Sequence, residues 1–404
     1  MAKDKIVLAY SGGLDTSVAV QYLKEKHSAD IITVTVDVGQ GDDMASVEKK
    51  AKATGAVKHY SIDAKKEFME NYVFPSIKAN ALYEGKYPLS TAVGRPLIAA
   101  KLVEVARREN ASAVAHGCSG RGNDQVRLDI TVRALAPDIK IIAPVREWNL
   151  ARNEEIEYAK ARGIPVPVTT ESPYSIDQSL WGRAIECGVL EDSYAEPPEE
   201  VFEWTNSVEK APSEPAAVTL EFVEGVPVAI NDQKLDPVTL VSTLNEIAGK
   251  HGVGRIDHIE DRLVGIKSRE VYECPAAIVI LEAHKDLEKA VLTRHEMLFK
   301  ERVDAEWTYL AYVGLWMDPL REDLDAFINT TQKNVNGKVK VKLHKGSLRV
   351  VGRTSPKSLY DENLANYNLK ETFDQRWSEG FIQVWGMQTQ KARNLKARVN
   401  RFSN

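Results

Sequence analysis

The sequence has few cysteines and no long apolar run. Its three cysteines, Cys118, Cys187 and Cys274, stand far apart in 404 residues and form no C-x-x-C pair. Disulfide frameworks and zinc sites need several cysteines or histidines at close, regular spacing, so neither is indicated. No stretch of about 20 apolar residues is present, and the first residues lack the apolar core of a signal peptide. We therefore expect free thiols, a cytoplasmic location and no membrane partner.

An excess of charge of one sign is also missing. Lys and Arg number 53 and Asp and Glu number 58, which gives a formal charge of −5. Nucleic-acid-binding proteins usually carry a basic surface, so we expect no nucleic-acid partner unless a local basic patch provides one. The chain from Met387 onward has no acidic residue and five basic ones: Lys391, Arg393, Lys396, Arg398 and Arg401. We favour a terminal helix that docks on a neighbouring subunit through its aromatic side over an RNA-binding tail.

The length and the hydrophobic pattern predict two domains and a terminal arm. Over residues 1–167, short β-branched runs alternate with amphipathic stretches, which predicts an α/β domain with a doubly wound parallel sheet. Residues 168–365 contain hairpin patterns and are expected to form an α+β domain, with a Pro-rich surface excursion over 197–215. Helices are predicted there at 237–249, 286–301 and 320–334. Residues 366–404 are expected to form an oligomerisation arm ending in a helix.

A glycine-rich turn follows the first predicted strand. It reads Ala9-Tyr10-Ser11-Gly12-Gly13-Leu14-Asp15-Thr16-Ser17 and leads into a helix. The glycines allow a tight turn whose N–H groups point at an anion, and the helix dipole favours negative charge there. Ser11, Thr16 and Ser17 add hydroxyl donors, while Asp15 could cap the helix or help to hold Mg²⁺. Because the turn contains no lysine and no Walker motif occurs, we expect backbone and hydroxyl groups to grip pyrophosphate.

A second glycine-rich loop follows the predicted strand 113–116. It reads His116-Gly117-Cys118-Ser119-Gly120-Arg121-Gly122-Asn123-Asp124-Gln125-Val126-Arg127. The third glycine of a dinucleotide fingerprint is absent, and a mobile surface loop is the simpler alternative. Asn123, Asp124 and Arg127 nevertheless place an amide, a carboxylate and a guanidinium within one turn of a helix start. Since these groups suit a zwitterion, we expect an amino-acid ligand.

These motifs resemble those of a known family. The S-G-G-x-D-[ST]-S string is similar to the pyrophosphate loop of ATP pyrophosphatases, which cleave ATP between its α- and β-phosphates. Together with the second loop, Gly249–Asp257 (GKHGVGRID) and Lys267–Tyr272 (KSREVY), it resembles argininosuccinate synthase from residue 9 to about residue 360. The resemblance implies that the ureido oxygen of citrulline attacks the α-phosphorus of ATP, forming citrullyl-AMP and pyrophosphate, before the aspartate amine displaces AMP. It also implies a synthetase domain over 168–365, a requirement for ATP and Mg²⁺, and a homotetramer.

The resemblance further implies ligand residues, position by position. ATP is expected at Ala9, Tyr10, Ser11, Gly12, Gly13, Leu14, Asp15, Thr16, Ser17, Val36 and Gly117. Citrulline is expected at Tyr87, Thr91, Asn123, Arg127, Ser175, Glu260 and Tyr272, and aspartate at Ser119, Asn123 and Asp124. Arg127 can pair with a carboxylate and Glu260 with an α-ammonium group, and Arg95 is a further candidate cation. No residue is assigned as a metal ligand.

Two positions depart from the family pattern. Val36 replaces an alanine that many relatives carry near adenine, which affects packing rather than a backbone contact. Ala184 stands where relatives often have a serine that binds citrulline. One lost hydrogen bond costs about 0.5–1.5 kcal/mol, so weaker citrulline binding is expected rather than a different substrate.

The expected chemistry needs no nucleophilic side chain, because both attacking atoms belong to substrates. The protein would align them and neutralise charge at phosphorus, with Mg²⁺ bridging phosphates, and the acceptor of the amine proton is left open. One alternative is another adenylating enzyme of the same superfamily, such as a tRNA thiolase or an amidotransferase-type synthetase. Those would call for paired cysteines or a cysteine near the N-terminus. The other alternative is a module that binds ATP without turnover.

Overall fold

The structure is a computed structural model that describes residues 3–148, 152–164, 174–366 and 373–402. Its strands are β1 (Lys5–Ala9), β2 (Asp30–Asp37), β3 (Lys58–Asp63), β4 (Ala113–Ala115), β5 (Lys140–Ile142), β6 (Ser175–Ser179), β7 (Gly182–Glu186), β8 (Ala216–Val223), β9 (Val226–Ile230), β10 (Gln233–Lys234), β11 (Arg255–Asp261), β12 (Lys267–Glu273), β13 (Gly337–His344) and β14 (Ser347–Thr354). Its α-helices are α1 (Leu14–His27), α2 (Met44–Ala53), α3 (Lys65–Phe68), α4 (Phe74–Lys78), α5 (Gly94–Glu109), α6 (Asp124–Leu135), α7 (Pro144–Trp148), α8 (Arg152–Ala161), α9 (Pro237–Lys250), α10 (Pro275–Val291), α11 (Arg294–Tyr312), α12 (Pro319–Gln332), α13 (Glu362–Ala365) and α14 (Trp377–Phe402).

The first five strands form a parallel sheet in the order β3-β2-β1-β4-β5. Successive side chains of a strand point to opposite faces, so both faces of a central strand need cover. Val7 packs in a cluster with Leu97 of α5, whereas Leu8 packs with Leu23 of α1 on the other face. The predicted doubly wound α/β fold is therefore confirmed.

The strand order creates a crevice at one edge of this sheet. From β1 the chain crosses to β2 on one side, and from β4 it crosses to β5 on the other side. The connections that leave β1 and β4 therefore diverge at their carboxyl ends, which is where open α/β sheets bind ligands. Both glycine-rich loops lie at this point, because residues 10–13 follow β1 and residues 116–123 follow β4.

Two antiparallel sheets follow. One has the order β11-β12-β7-β6, and the other has the order β10-β9-β8-β13-β14. In the five-stranded sheet, alternate residues of β13 are buried against α10, as the period-two pattern predicts. The expected α+β character of the second half is confirmed.

The helix predicted over 286–301 is wrong. The structure has two helices there, since α10 ends at Val291 and α11 begins at Arg294. Thr293 separates them because its hydroxyl accepts the N–H of Glu296 while the Glu296 carboxylate accepts the N–H of Thr293. This reciprocal capping starts a new helix, and the T-x-x-E spacing in the sequence was its signal.

The Pro-rich segment 197–215 is only partly a surface excursion. The fully buried carboxylate of Glu273 accepts the backbone N–H groups of Trp204 and Thr205, each at 2.9 Å. The buried guanidinium of Arg183 pairs with the same carboxylate at 2.9 Å. The segment is thus anchored over β7 and β12, because a buried carboxylate needs donors.

The chain divides into two compact units, residues 1–357 and 358–404. The domain boundary predicted at residue 167 lies outside the described residues, and the division into 1–167, 168–365 and 366–404 stays a prediction. In the second unit, α14 exposes several large apolar side chains, including Phe381 and Trp385, whose rings stack at 5.5 Å. None of the helices in the described ranges combines the length and apolarity needed to cross a membrane.

Candidate active site

The loop between β1 and α1 has the geometry of an anion cradle. Gly12 has a φ of +76°, a left-handed conformation that favours glycine, and Gly13 is the N-cap of α1. The first backbone hydrogen bond of the helix joins the N–H of Ser17 to the carbonyl of Gly13 at 3.1 Å. The N–H groups of the first turn therefore lack a helical partner, and no side chain caps them. Asp15 does not act as the cap, because it lies inside the first turn.

The hydroxyl groups of this loop divide into two sets. Ser11 is exposed, and its hydroxyl lies 3.2 Å from that of the half-buried Thr16, so both are placed at the loop surface. Ser17 is fully buried, and its hydroxyl meets the Tyr10 hydroxyl at 3.1 Å. Burial raises the pKa of Tyr10. Tyr10 and Ser17 thus hold the loop from inside, while the hydroxyls of Ser11 and Thr16 lie at its surface and also contact the backbone of Gly13 at 3.4 Å.

Val36 lies at the end of β2 on the side of the sheet that α5 covers. Its side chain is buried, and its carbonyl accepts a hydrogen bond from the Gln40 amide at 3.1 Å. Both valine and alanine can present that carbonyl, so an effect confined to packing stays a prediction.

The second loop meets the first. A Cβ atom added to Gly117 would lie 3.1 Å from Cγ2 of Thr16, closer than most real contacts of that kind. The buried His116 stiffens the start of the loop, because its Nδ1 accepts the N–H of Cys118 at 3.2 Å and its Nε2 donates to Asp129 at 2.7 Å. The anion cradle and the second loop are thus close neighbours at Thr16 and Gly117.

Beyond Gly122 the second loop opens into a polar pocket. The residues that line it come from α6, from the four-stranded sheet and from the segment before α5: Tyr87, Thr91, Gly122, Asn123, Asp124, Arg127, Asp177, Ala184, Glu186, Glu260, Arg262, Glu270 and Tyr272. Seven of them were predicted as citrulline or aspartate ligands. The other two predicted ligands, Ser119 and Ser175, are exposed and lie outside this lining.

Two tyrosines form one wall of the pocket. The rings of Tyr87 and Tyr272 stack with centroids 4.3 Å apart and an angle of 15°. The Tyr87 hydroxyl accepts the backbone N–H groups of Thr91 and Ala92 at 3.1 and 3.2 Å and lies 3.1 Å from the Thr91 hydroxyl. Burial raises the pKa of Tyr87 to about 12, so this phenol is neutral. The wall is therefore rigid.

Asp124 lies between two guanidinium groups. Its carboxylate contacts Arg95 at 2.8 Å and Arg127 at 2.9 Å, and Arg95 also pairs with Asp177. Burial by itself would raise the pKa of Asp124, but the two arginines outweigh it and lower the pKa to about 2. The pocket lining thus carries opposite charges, on Asp124 and Arg127, of the kinds that pair with the two ends of an amino acid.

Glu260 lies deeper and is almost fully buried. One carboxylate oxygen accepts the Tyr272 hydroxyl at 2.8 Å, and the other accepts the hydroxyl of Tyr312. Both oxygens are oriented by phenols, and Nε2 of His258 lies 3.3 Å from the oxygen that Tyr272 contacts. A carboxylate held in this way can pair with an ammonium group.

Four lining residues were not identified from the sequence. Arg262 contacts Glu186 at 2.9 Å and Glu270 at 2.8 Å, and Asp177 completes the set. Burial raises the pKa of Glu186 to about 7, with repulsion from Glu270 adding to it and Arg262 opposing it. The available signal was the two-residue spacing of Arg262 from Glu260 and of Glu270 from Tyr272, since alternate residues of an extended chain share a face.

Comparisons with known proteins cover nearly the whole chain. Residues 5–165 match the family model described as the arginosuccinate synthase N-terminal HUP domain, and residues 174–392 match the model of the C-terminal domain. The argininosuccinate synthase of Pyrococcus furiosus is 58% identical over 400 residues, covering 99% of this chain and 97% of that protein. That of Listeria monocytogenes serotype 4a is 54% identical over 399 residues, covering 99% and 98%. Among solved structures, a predicted tRNA methyltransferase subunit from Methanocaldococcus jannaschii aligns with a TM-score of 0.28 and 17% identity. The alignment covers 39% of this chain and 74% of that chain, and this similarity is too low to support an inference.

Proposed function

This chain belongs to the argininosuccinate synthase family, ATP-dependent ligases of arginine biosynthesis that join citrulline to aspartate, and we propose that it works through a citrullyl-AMP intermediate. The ureido oxygen of citrulline forms a bond to the α-phosphorus of ATP, and pyrophosphate leaves. The aspartate amine then attacks the ureido carbon, AMP leaves with the former ureido oxygen, and the amine gives up a proton. The products are argininosuccinate, AMP and pyrophosphate.

The observation that carries this proposal is the contact between the two loops at the crevice of the parallel sheet. The close approach of Gly117 to Thr16 brings the anion cradle against the loop that leads, at Gly122, to the polar pocket. ATP phosphates at the N–H groups of α1 would then lie beside an amino acid held in the pocket. Positioning of this kind accounts for catalysis without a nucleophilic side chain.

The charges in the pocket suit both amino acids. Citrulline would place its α-ammonium group at Glu260 and its carboxylate near Arg127, with Tyr87, Thr91, Asn123, Ser175 and Tyr272 around it. Aspartate would bind closer to the cradle, at Ser119, Asn123 and Asp124. The ionised carboxylate of Asp124 suits an ammonium group. ATP would contact residues 9–17, Val36 and Gly117.

Mg²⁺ would accompany the phosphates of ATP. Asp15 is exposed in the first turn of α1 and offers an oxygen ligand of the type that Mg²⁺ prefers. The ion would neutralise phosphate charge. We also propose a homotetramer in which the exposed aromatic face of α14 docks on another copy, since Phe381, Trp385 and their apolar neighbours would be buried there.

The test measures pyrophosphate release with ATP, citrulline and aspartate, and with each omitted in turn. We expect release to require ATP and citrulline, and argininosuccinate formation to require all three. Citrulline labelled with ¹⁸O in the ureido group should transfer the label to AMP, because the bond to phosphorus persists. Release without citrulline would contradict the proposal and favour another adenylating enzyme, and no release at all would favour an ATP-binding module without turnover.

A further inference from the structure

We propose that Tyr312, which lies outside the pocket, is a positioning residue for the citrulline ligands Glu260, Asn123 and Arg127. The inference rests on the proposed function and deepens it. Tyr312 is the last residue of α11, and its side chain is fully buried. It contacts Glu260, Asn123 and Arg127, and its ring meets that of Tyr87 edge-on at 6.4 Å, but it does not line the pocket itself. A single side chain therefore connects ligands that come from β11 and from the start of α6.

The hydroxyl of Tyr312 orders two of these ligands. It donates its proton to a carboxylate oxygen of Glu260, with the Asp261 carbonyl at 3.1 Å as a second acceptor, and it accepts a hydrogen bond from the Asn123 side-chain nitrogen at 2.9 Å. The other end of the same amide, the oxygen of Asn123, accepts the backbone N–H of Leu263 at 2.8 Å. The hydroxyl thus fixes the orientation of the Asn123 amide as well as the plane of the Glu260 carboxylate.

The backbone and ring of Tyr312 order the third ligand. The carbonyl of Tyr312 accepts the Nε–H of Arg127 at 2.9 Å. The guanidinium of Arg127 also lies over the Tyr312 ring, 4.9 Å from its centre. Because these contacts use the ring and the main chain, they would survive the loss of the hydroxyl. The hydroxyl can therefore be tested by itself.

The ring is held independently of its hydroxyl. It stacks on Tyr83, with ring centres 3.4 Å apart and an angle of 6°. Burial raises the pKa of Tyr312, so the phenol keeps the proton that it donates. Phenylalanine fills the same volume and keeps the stacking. Tyr312→Phe would then leave Glu260 and Asn123 each without one partner and leave the packing intact.

We expect Tyr312→Phe to raise the KM for citrulline about 10- to 100-fold, the range that corresponds to losing a hydrogen bond to a charged group. The KM for ATP should stay within about twofold, because the cradle has no contact with Tyr312. The matched control is Tyr309→Phe, which removes a half-exposed hydroxyl from the same helix and should change neither constant.

Two further measurements separate positioning from a structural role. If Tyr312 acts partly through Glu260, then Tyr312→Phe in a Glu260→Ala background should raise the citrulline KM much less than it does in the wild type. The increase in Tm that citrulline produces should also shrink in Tyr312→Phe, a readout that needs no turnover. An unchanged citrulline KM, or a lower kcat with both KM values unchanged, would overturn the inference. Failure of the proposed function is distinguishable, because the wild type itself would then release no pyrophosphate in response to citrulline.

Discussion

Replacement of Gly314 by alanine tests how tightly the chain after α11 is packed against the pocket. Gly314 has a φ of +82°, and a Cβ atom added there would lie 2.8 Å from Cα and 3.2 Å from the backbone nitrogen of Arg127. Both are main-chain atoms in the first turn of α6, so they cannot move aside as the end of a side chain can. We therefore expect the substitution to displace the helical turn that carries Asn123, Asp124 and Arg127.

The magnitude follows from two contributions. Left-handed backbone costs a residue with a Cβ atom about 1–2 kcal/mol, and overpacking costs a further 1–3 kcal/mol, approximately. Gly265 separates the two contributions, because its φ is +83° but a Cβ atom there would meet no described atom within 4 Å. Gly265→Ala should show only the backbone strain. Gly314→Ala should therefore be less stable than Gly265→Ala by about 1–3 kcal/mol, or roughly 1–4 °C in Tm for a cooperative unit of this size.

The assay compares the Tm values of both variants and the wild type, and then the KM for citrulline at a temperature where all three are folded. We expect Gly314→Ala alone to show the larger fall in Tm together with a raised citrulline KM. Equal falls in Tm for the two variants would refute the steric argument. A lower Tm with an unchanged citrulline KM would show that displacement of Arg127 does not reach the ligand.

Two other predictions follow from the pocket and from the core. Ala184→Ser should lower the citrulline KM about 2- to 12-fold, because it adds one hydrogen bond of about 0.5–1.5 kcal/mol to the pocket wall. The control Ala217→Ser lies at an exposed strand position and should leave that KM unchanged. Equal citrulline KM values in the wild type and both variants would contradict the prediction. Asp304 is buried beside Lys300 and Glu288, and burial raises its pKa to about 7, with Lys300 opposing and Glu288 adding. Because the pKa of Asp304 is raised in the folded state, its contribution to stability is complete below about pH 4 and is lost as the pH rises through about 7. Between pH 5 and pH 8, the Tm of the wild type should therefore fall relative to the Tm of Asp304→Asn. Parallel Tm curves over that range would show that Asp304 does not titrate there.

The conformation of the first glycine-rich loop could be predicted from the sequence, because tight turns and helix starts depend on residues that are neighbours in the chain. Gly12 has the positive φ that a tight turn requires, and α1 starts directly after Gly13, as the strand–turn–helix pattern indicated. Asp15 is not the helix cap, because an N-cap residue must precede the helix and Asp15 lies inside it, and its alternative role toward Mg²⁺ stays a prediction. The break at Thr293 also had a local signal that hydrophobic periodicity alone did not reveal.

Sequence by itself determined which residue types were available, where the turns fall, and which faces of the strands and helices are apolar. These properties depend on steric and hydrogen-bonding preferences that act over a few residues. Only the tertiary structure decided that Tyr272, Ala184 and Asp177 lie side by side, because strand register sets that alignment. It alone placed Tyr312 against Asn123, a contact between residues 189 positions apart. Such contacts depend on how whole helices and sheets pack together, and no local pattern encodes that packing.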